Sequence, residues 1–128
     1  MAVVVATKYE RGTSQLTNTS IEQFYGTSGS GVEITMASLT DTRPRRLISV
    51  TVKYSAAAST TVTVTHDTLG GPGSGYSVLL NSTALVAQTD YVFQPTGDYF
   101  ISGGDTITTV APLLAAGTAK VIITTEVV

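Results

Sequence analysis

Few side chains in this sequence could do acid–base or metal chemistry. His66 is the single histidine, Asp67 follows it directly, and there is no cysteine. A histidine beside an aspartate can orient a general base or begin a metal site. With no second histidine and no thiolate, a transition-metal site would have to take carboxylates as its other ligands. Because the alternation in TTVTVTH puts His66 in line with Val62 and Val64, we predict a structural histidine at a strand end.

Other motifs match catalytic or ion-binding patterns only in part. Ser74 lies between two glycines in GGPGSGYS, but a nucleophile elbow has its glycines two residues to either side, where this chain has proline and tyrosine. GTSGSG, at 26–31, is not followed by the lysine of a phosphate-binding loop. Asp90, Asp98 and Asp105 are eight and seven residues apart, whereas a calcium loop concentrates its ligands within about a dozen residues. Asp98 and Asp105 each follow a glycine, where aspartate commonly stabilises a turn, so we predict turn-forming carboxylates. The sequence therefore predicts neither an enzyme nor a cofactor.

One basic cluster occurs, in DTRPRR, where Arg43, Arg45 and Arg46 surround a proline. Three arginines without flanking aromatic residues are too few for a nucleic-acid interface, and the net charge of -2 gives no broad positive surface. The planar guanidinium group suits carboxylates at protein interfaces. We therefore expect a salt-bridge patch between subunits and no direct contact with nucleic acid.

The composition indicates one domain with an unusually uncharged surface. The chain has 128 residues, and charged residues make up 12% of it, which is about half the usual fraction. So few charges favour a surface that is covered by other protein. The apolar run at 2–6 is shorter than the core of a secretory signal, and no stretch approaches the roughly 20 apolar residues that cross a bilayer. We expect neither a signal peptide nor a membrane contact.

Alternation of threonine with valine and isoleucine predicts strands with one buried and one solvated face. In RRLISVTVKYS, for example, Ile48, Val50, Val52 and Tyr54 share one face. Clusters of Gly, Pro, Asp and Ser separate the runs. About eight strands are predicted, near 3–8, 20–25, 31–38, 46–55, 60–66, 76–80, 90–94 with 98–101, and 105–110 with 119–127. This pattern predicts an all-β chain that folds as a single antiparallel β-sandwich, with a jelly roll as the expected topology.

The N-terminal segment, residues 1–19, differs in character from the sandwich domain predicted for 20–128. It joins the apolar AVVVA to a polar stretch. Val3, Val4 and Val5 are candidate interface residues, because a β-rich terminal segment can add a strand to a neighbour's exposed edge. The alternative is that the same residues form a strand of the chain's own sandwich.

The order of motifs from residue 43 to residue 127 follows a distinct plan. Basic residues precede the predicted strand in RRLISVTVKYS, and the alternating TTVTVTHD and then YSVLL follow it. FQPTGDYFISGGD then brings a strand through a turn to a Gly-Asp pair that opens the next strand. This order resembles small β-sandwich virion proteins of tailed bacteriophages. The resemblance implies a sandwich that decorates or cements a capsid, or that lies at the neck or tail, and it carries over no catalytic residue.

The functional expectation is therefore a non-enzymatic virion protein, assembled in the host cytoplasm, that binds the capsid lattice and stabilises the head. Its expected partners are the major capsid protein or other virion proteins, and itself as a dimer or trimer. A neck or tail accessory protein is the alternative, as is a receptor- or carbohydrate-binding sandwich. For that last class Tyr76, Tyr91 and Tyr99 are the candidate platform residues.

Overall fold

Eleven β-strands make up the described part of the chain, which contains no helix. The computed structural model describes residues 2–5, 7–10, 21–28, 33–38, 43–68, 77–112 and 117–128. The strands are β1 (Ala2–Val5), β2 (Thr7–Glu10), β3 (Ile21–Ser28), β4 (Glu33–Ser38), β5 (Arg45–Ala58), β6 (Thr61–Asp67), β7 (Ser77–Ala84), β8 (Gln88–Phe93), β9 (Phe100–Ile101), β10 (Thr106–Pro112) and β11 (Ala119–Val127). Within these ranges no helix is long and apolar enough to cross a membrane.

The strands form two sheets that connect as a jelly roll. The first sheet has the order β1-β4-β10-β6-β7, and the second has the order β2-β3-β11-β5-β8, with β9 also paired to β5. Eight strands pair as a nested set, all antiparallel: β3 with β11, β4 with β10, β5 with β8, and β6 with β7. This nesting of first with last strands is the jelly-roll plan, so the predicted antiparallel β-sandwich is confirmed. The other three strands, β1, β2 and β9, bring the total above the eight expected.

The core lies between the two inner faces. Alternation sends side chains of β5, β6 and β11 inward, and the fully buried ones are mostly branched aliphatic residues. Each valine, leucine or isoleucine buried in this way contributes roughly 1.5–3 kcal/mol to the free energy of unfolding. The inward apolar residues include Val62, Val64, Ile107 and Ala111 of the first sheet, and Phe24, Leu47, Val50, Val52, Tyr54, Tyr91, Val121 and Ile123 of the second.

A β-bulge in β5 changes which side chains face inward. Val50, Val52 and Tyr54 are buried as the alternation predicts. Ile48 is not in this set, because β11 pairs with Ser49 and then with Leu47, which leaves Ile48 as the extra residue of the bulge. Before the bulge the inward positions are therefore odd-numbered, and Leu47 and Arg45 are the buried residues.

The first ten residues contribute one strand to each sheet. β1 pairs with β4 in parallel, and β2 pairs with β3 in antiparallel orientation. The backbone of Ala2–Val5 thus lies in the chain's own first sheet. Residues 11–20 are outside the described ranges, so the boundary at residue 19 stays a prediction, as does an interface role for Val3, Val4 and Val5.

Candidate functional site

His66 is the centre of a polar cluster at one end of the sandwich. Its Nδ1 atom is 2.8 Å from the hydroxyl of Tyr99, and its Nε2 atom is 3.0 Å from Oδ2 of Asp105. The side chains of His66 and Asp105 are only 10% and 13% exposed. In the neutral histidine, Nε2–H donates to Asp105 while Tyr99 donates to Nδ1, so one tautomer satisfies both contacts.

Three elements bring these side chains together. Asp105 directly precedes β10, which begins at Thr106. Because the pairing of β6 with β10 sets Ile107 opposite His66, Asp105 lies close to the imidazole ring. A turn delivers Asp105 to this position: Gly104 adopts a φ of +88°, and the backbone N–H of Asp105 donates to the carbonyl of Ser102 at 3.2 Å. Tyr99 is fixed through its own carbonyl, which accepts the backbone N–H of Leu47 at 2.8 Å.

An aspartate, a histidine and a hydroxyl in series are the parts of a nucleophilic relay, but the raised pKa of the Tyr99 hydroxyl opposes that use. A nucleophilic hydroxyl needs a lowered pKa or a base that removes its proton easily. Burial raises the pKa of Tyr99 above its usual value, and the negative charge of Asp105 raises it further. The Tyr99 hydroxyl therefore holds its proton more firmly than a free tyrosine. The cluster fits a structural lock that ties β6 to the segment before β10, in agreement with the structural role predicted for His66.

Asp67 does not contact His66, although the two are neighbours in sequence. Successive residues of a strand point to opposite faces, and Asp67 accepts hydrogen bonds on its own face of β6. Ser77 donates to its Oδ1 at 2.6 Å, while Thr106 and Thr108 donate to its Oδ2. These hydrogen bonds compensate the buried carboxylate for the hydration that it loses on folding.

Neither cluster has the composition of a metal centre. Among the residues that the structure describes, no group of three or more His, Cys, Asp or Glu side chains could hold a metal ion. A shallow surface depression of about 360 Å³ lies elsewhere, on the outer face of the second sheet, between Gln23, Tyr25, Lys120 and Ile122. The Lys120 ammonium group lies 5.1 Å from the centre of the Tyr25 ring, so this aromatic surface is already occupied by a cation.

The three arginines of DTRPRR do not form one patch. Arg45 is buried, donates to the hydroxyl of Thr125 at 3.0 Å, and lies 5.0 Å from the centre of the Phe24 ring. Arg46 points outward and pairs with Glu126 at 2.9 Å. Arg43 is exposed. The expected salt-bridge patch of three charges is therefore corrected for Arg45, which the β-bulge in β5 turns into the sandwich, while interface roles for Arg43 and Arg46 stay predictions.

Two of the three tyrosines considered as a binding platform, Tyr91 and Tyr99, have hydrogen-bond partners within the chain. Tyr91 is 6% exposed and donates to Oδ1 of Asn81 at 2.6 Å, while the hydroxyl of Tyr99 bonds to His66. Tyr76 lies outside the described residues. Tyr91 thus offers no stacking surface, which corrects that expectation for this residue.

The exposed apolar side chains are concentrated on one side of the sandwich. We call this the β7–β8 side: it consists of β7, the connection 85–87, β8 and β9. Because β7 is the last strand of the first sheet and β8 the last strand of the second, both sheets end here. Six large apolar residues are exposed in the described ranges, and all but Val128 belong to this side: Val78, Leu79, Val86, Val92 and Phe100.

Comparisons with known proteins find little. No family model matches the chain, and no curated protein matches it. The chain is similar to a solved structure, the periplasmic inhibitor of g-type lysozyme from Aeromonas hydrophila, with 12% sequence identity and a TM-score of 0.40 over 98% of this chain and 96% of that one. A likeness this low assigns no function to the chain.

The same comparison corrects the expected function. The solved structure named above is a bacterial periplasmic protein, not a phage virion protein. The expectation of a capsid decoration or cement protein, with its neck, tail and receptor- or carbohydrate-binding alternatives, is therefore not carried forward. The motif order on which it depended is a strand-and-turn pattern, and such patterns report fold rather than function.

Proposed function

We propose that this chain is a non-enzymatic protein that acts by binding another protein chain through the β7–β8 side. The observation that carries the proposal is the concentration of exposed apolar side chains there. Single exposed apolar residues are normal, whereas interaction surfaces bring several together, and five of the six described ones belong to β7, the connection 85–87, β8 and β9.

The polarity of this side supports a protein partner. Its described strands contain one charged residue, Asp90, and that carboxylate is paired with Lys53 at 2.7 Å. Depletion of charge and enrichment of apolar residues are the features of the centre of a protein interface. A polyanion or a membrane surface would instead need a cluster of basic residues.

The polar clusters support a role without chemistry. In the Asp105–His66–Tyr99 series each group has a partner within the chain, and the raised pKa of Tyr99 opposes its use as a nucleophile. The carboxylate of Asp67 is held by hydroxyl groups in the same way. These residues stabilise the fold that presents the surface.

Site-specific photo-cross-linking in the cells that produce the protein tests the proposal. A benzophenone side chain in place of Val92 should give covalent adducts with a protein, because this position lies exposed on β8. The matched control is the same group in place of Thr27, which is exposed on β3 of the second sheet, away from β8. Protein adducts from both positions alike, or from neither, would refute the assignment of the surface.

A further inference from the structure

The outer edge of β7 lacks most of the devices that keep sheet edges from pairing. Among the described strands β7 pairs with β6 alone and ends the first sheet. Its sequence, SVLLNSTA, contains no charged residue and no proline, whereas edge strands are usually protected by lysine, proline or inward-pointing charge. One bulge is present: β6 pairs with Asn81 and then with Leu79, which leaves Leu80 as the extra residue.

The exposed side chains of β7 specify how a partner must approach. Val78 and Leu79 are 51% and 60% exposed and occupy successive positions, so they project to opposite faces of the strand. A helix or loop packed on one face of the sheet would cover only one of them. A strand added beside β7 would flank both with its own side chains while its main chain bonds to the outer edge of β7.

A second copy of this chain fits that requirement. When two identical strands pair in antiparallel orientation about a two-fold axis at Leu79, each Leu79 lies opposite the other, and each Val78 lies opposite the partner's Leu80. The apolar triplet is thus complementary to itself. Because β7 carries no charge, no like charges meet across the axis. A partner strand rich in charge would find no counter-charge on β7.

We propose that the chain forms a two-fold symmetric dimer by antiparallel pairing of β7 with β7 of a second copy, which joins the two first sheets into one. This inference rests on the proposed function and names the partner for the β7 part of the β7–β8 side. The β8 and β9 part remains outside the paired edge.

Sedimentation equilibrium of the full chain tests the dimer. The wild-type protein should show a concentration-dependent mass of two chains. Leu79→Lys should raise the dimer dissociation constant at least tenfold, because it sets two lysines against each other across the axis. Val128→Lys is the matched control: it also replaces an exposed apolar residue, but one that follows β11 of the other sheet, and it should leave the dimer unchanged. Thermal melts should show both variants folded, since neither side chain is in the core.

The outcomes separate this inference from the proposed function. A wild-type chain that stays monomeric, or a dimer that withstands Leu79→Lys, overturns the β7 dimer. If cross-linking at Val92 then still yields a protein adduct, the binding surface stands and only the identity of the partner is wrong. Loss of both the dimer and the Val92 adduct overturns the proposed function as well. A dimer weakened by Leu79→Lys and by Val128→Lys equally places the interface elsewhere and also overturns the proposal.

Discussion

Replacing Tyr91 by phenylalanine should make the protein less stable at neutral pH and more stable than the wild type at high pH. The Tyr91 hydroxyl is buried against β7 and donates to Oδ1 of Asn81 at 2.6 Å. Burial raises its pKa to about 12, because the phenolate would lose its hydration inside the sandwich. An ionised Tyr91 would also have no proton to donate to the Asn81 oxygen.

The hydrogen bond lost in Tyr91→Phe lowers the stability of the variant, whereas ionisation of Tyr91 at high pH lowers the stability of the wild type by a comparable amount. Tyr91→Phe removes one hydrogen bond, which costs about 1 kcal/mol, and Asn81 keeps an acceptor contact with the hydroxyl of Thr83. In the wild type, the folded pKa of about 12 lies above the unfolded value of about 10. The stability that depends on a neutral Tyr91 is therefore fully present below pH 10 and is lost as the pH rises through 12. The loss is about 1.4 kcal/mol by pH 11 and approaches about 2.7 kcal/mol above the folded pKa.

Urea unfolding of both proteins at a series of pH values measures this directly. Groups other than Tyr91 titrate in both proteins, so their contribution cancels in the difference between the two free energies of unfolding. We expect Tyr91→Phe to be about 1 kcal/mol less stable at pH 7. The plots of unfolding free energy against pH for the variant and the wild type should cross at about pH 11. Absorbance titration of tyrosinate should show that the variant lacks one late transition. A constant difference from pH 7 to pH 11.5 would refute the buried, un-ionised Tyr91.

Three further predictions concern the core and the polar clusters. Val50→Asp should abolish cooperative thermal unfolding, since it buries an unpaired charge at a cost of several kcal/mol, whereas Thr51→Asp on the outer face should melt cooperatively. Cooperative melting of Val50→Asp together with unfolding of Thr51→Asp would show that the assigned register of β5 is wrong. Arg45→Ala should lower the free energy of urea unfolding by about 3 kcal/mol through loss of a buried contact. Arg46→Ala should lower it by less than about 1 kcal/mol, because the ion pair of Arg46 with Glu126 is partly solvated. Equal losses in the two variants would contradict the difference in burial. Asp105→Ala should cost about 1–3 kcal/mol by leaving the buried imidazole Nε2 without its acceptor; an unchanged urea midpoint would show that the lock is not formed.

The strands of this protein are encoded locally. Period-two alternation in β5 and β6 predicts that Val50, Val52, Val62 and Val64 are buried, and each of them is fully buried in the structure. This works because the alternation of side chains across a strand depends only on backbone geometry, so the pattern of apolar residues is enough to identify the buried face. The composition also shows directly that the chain has a single histidine and no cysteine. No fold can add to this set of potentially catalytic side chains.

Pairings between distant residues were decided only by the tertiary structure. The sequence suggests Asp67 as the partner of His66, but neighbours in a strand face opposite ways, and the carboxylate that reaches the imidazole is Asp105, brought there by the register of β10 on β6. Continuous alternation in β5 would bury Arg46 and expose Arg45, and the bulge opposite β11 reverses this. A bulge and a register are properties of two strands together, so neither can be derived from the sequence of one strand alone.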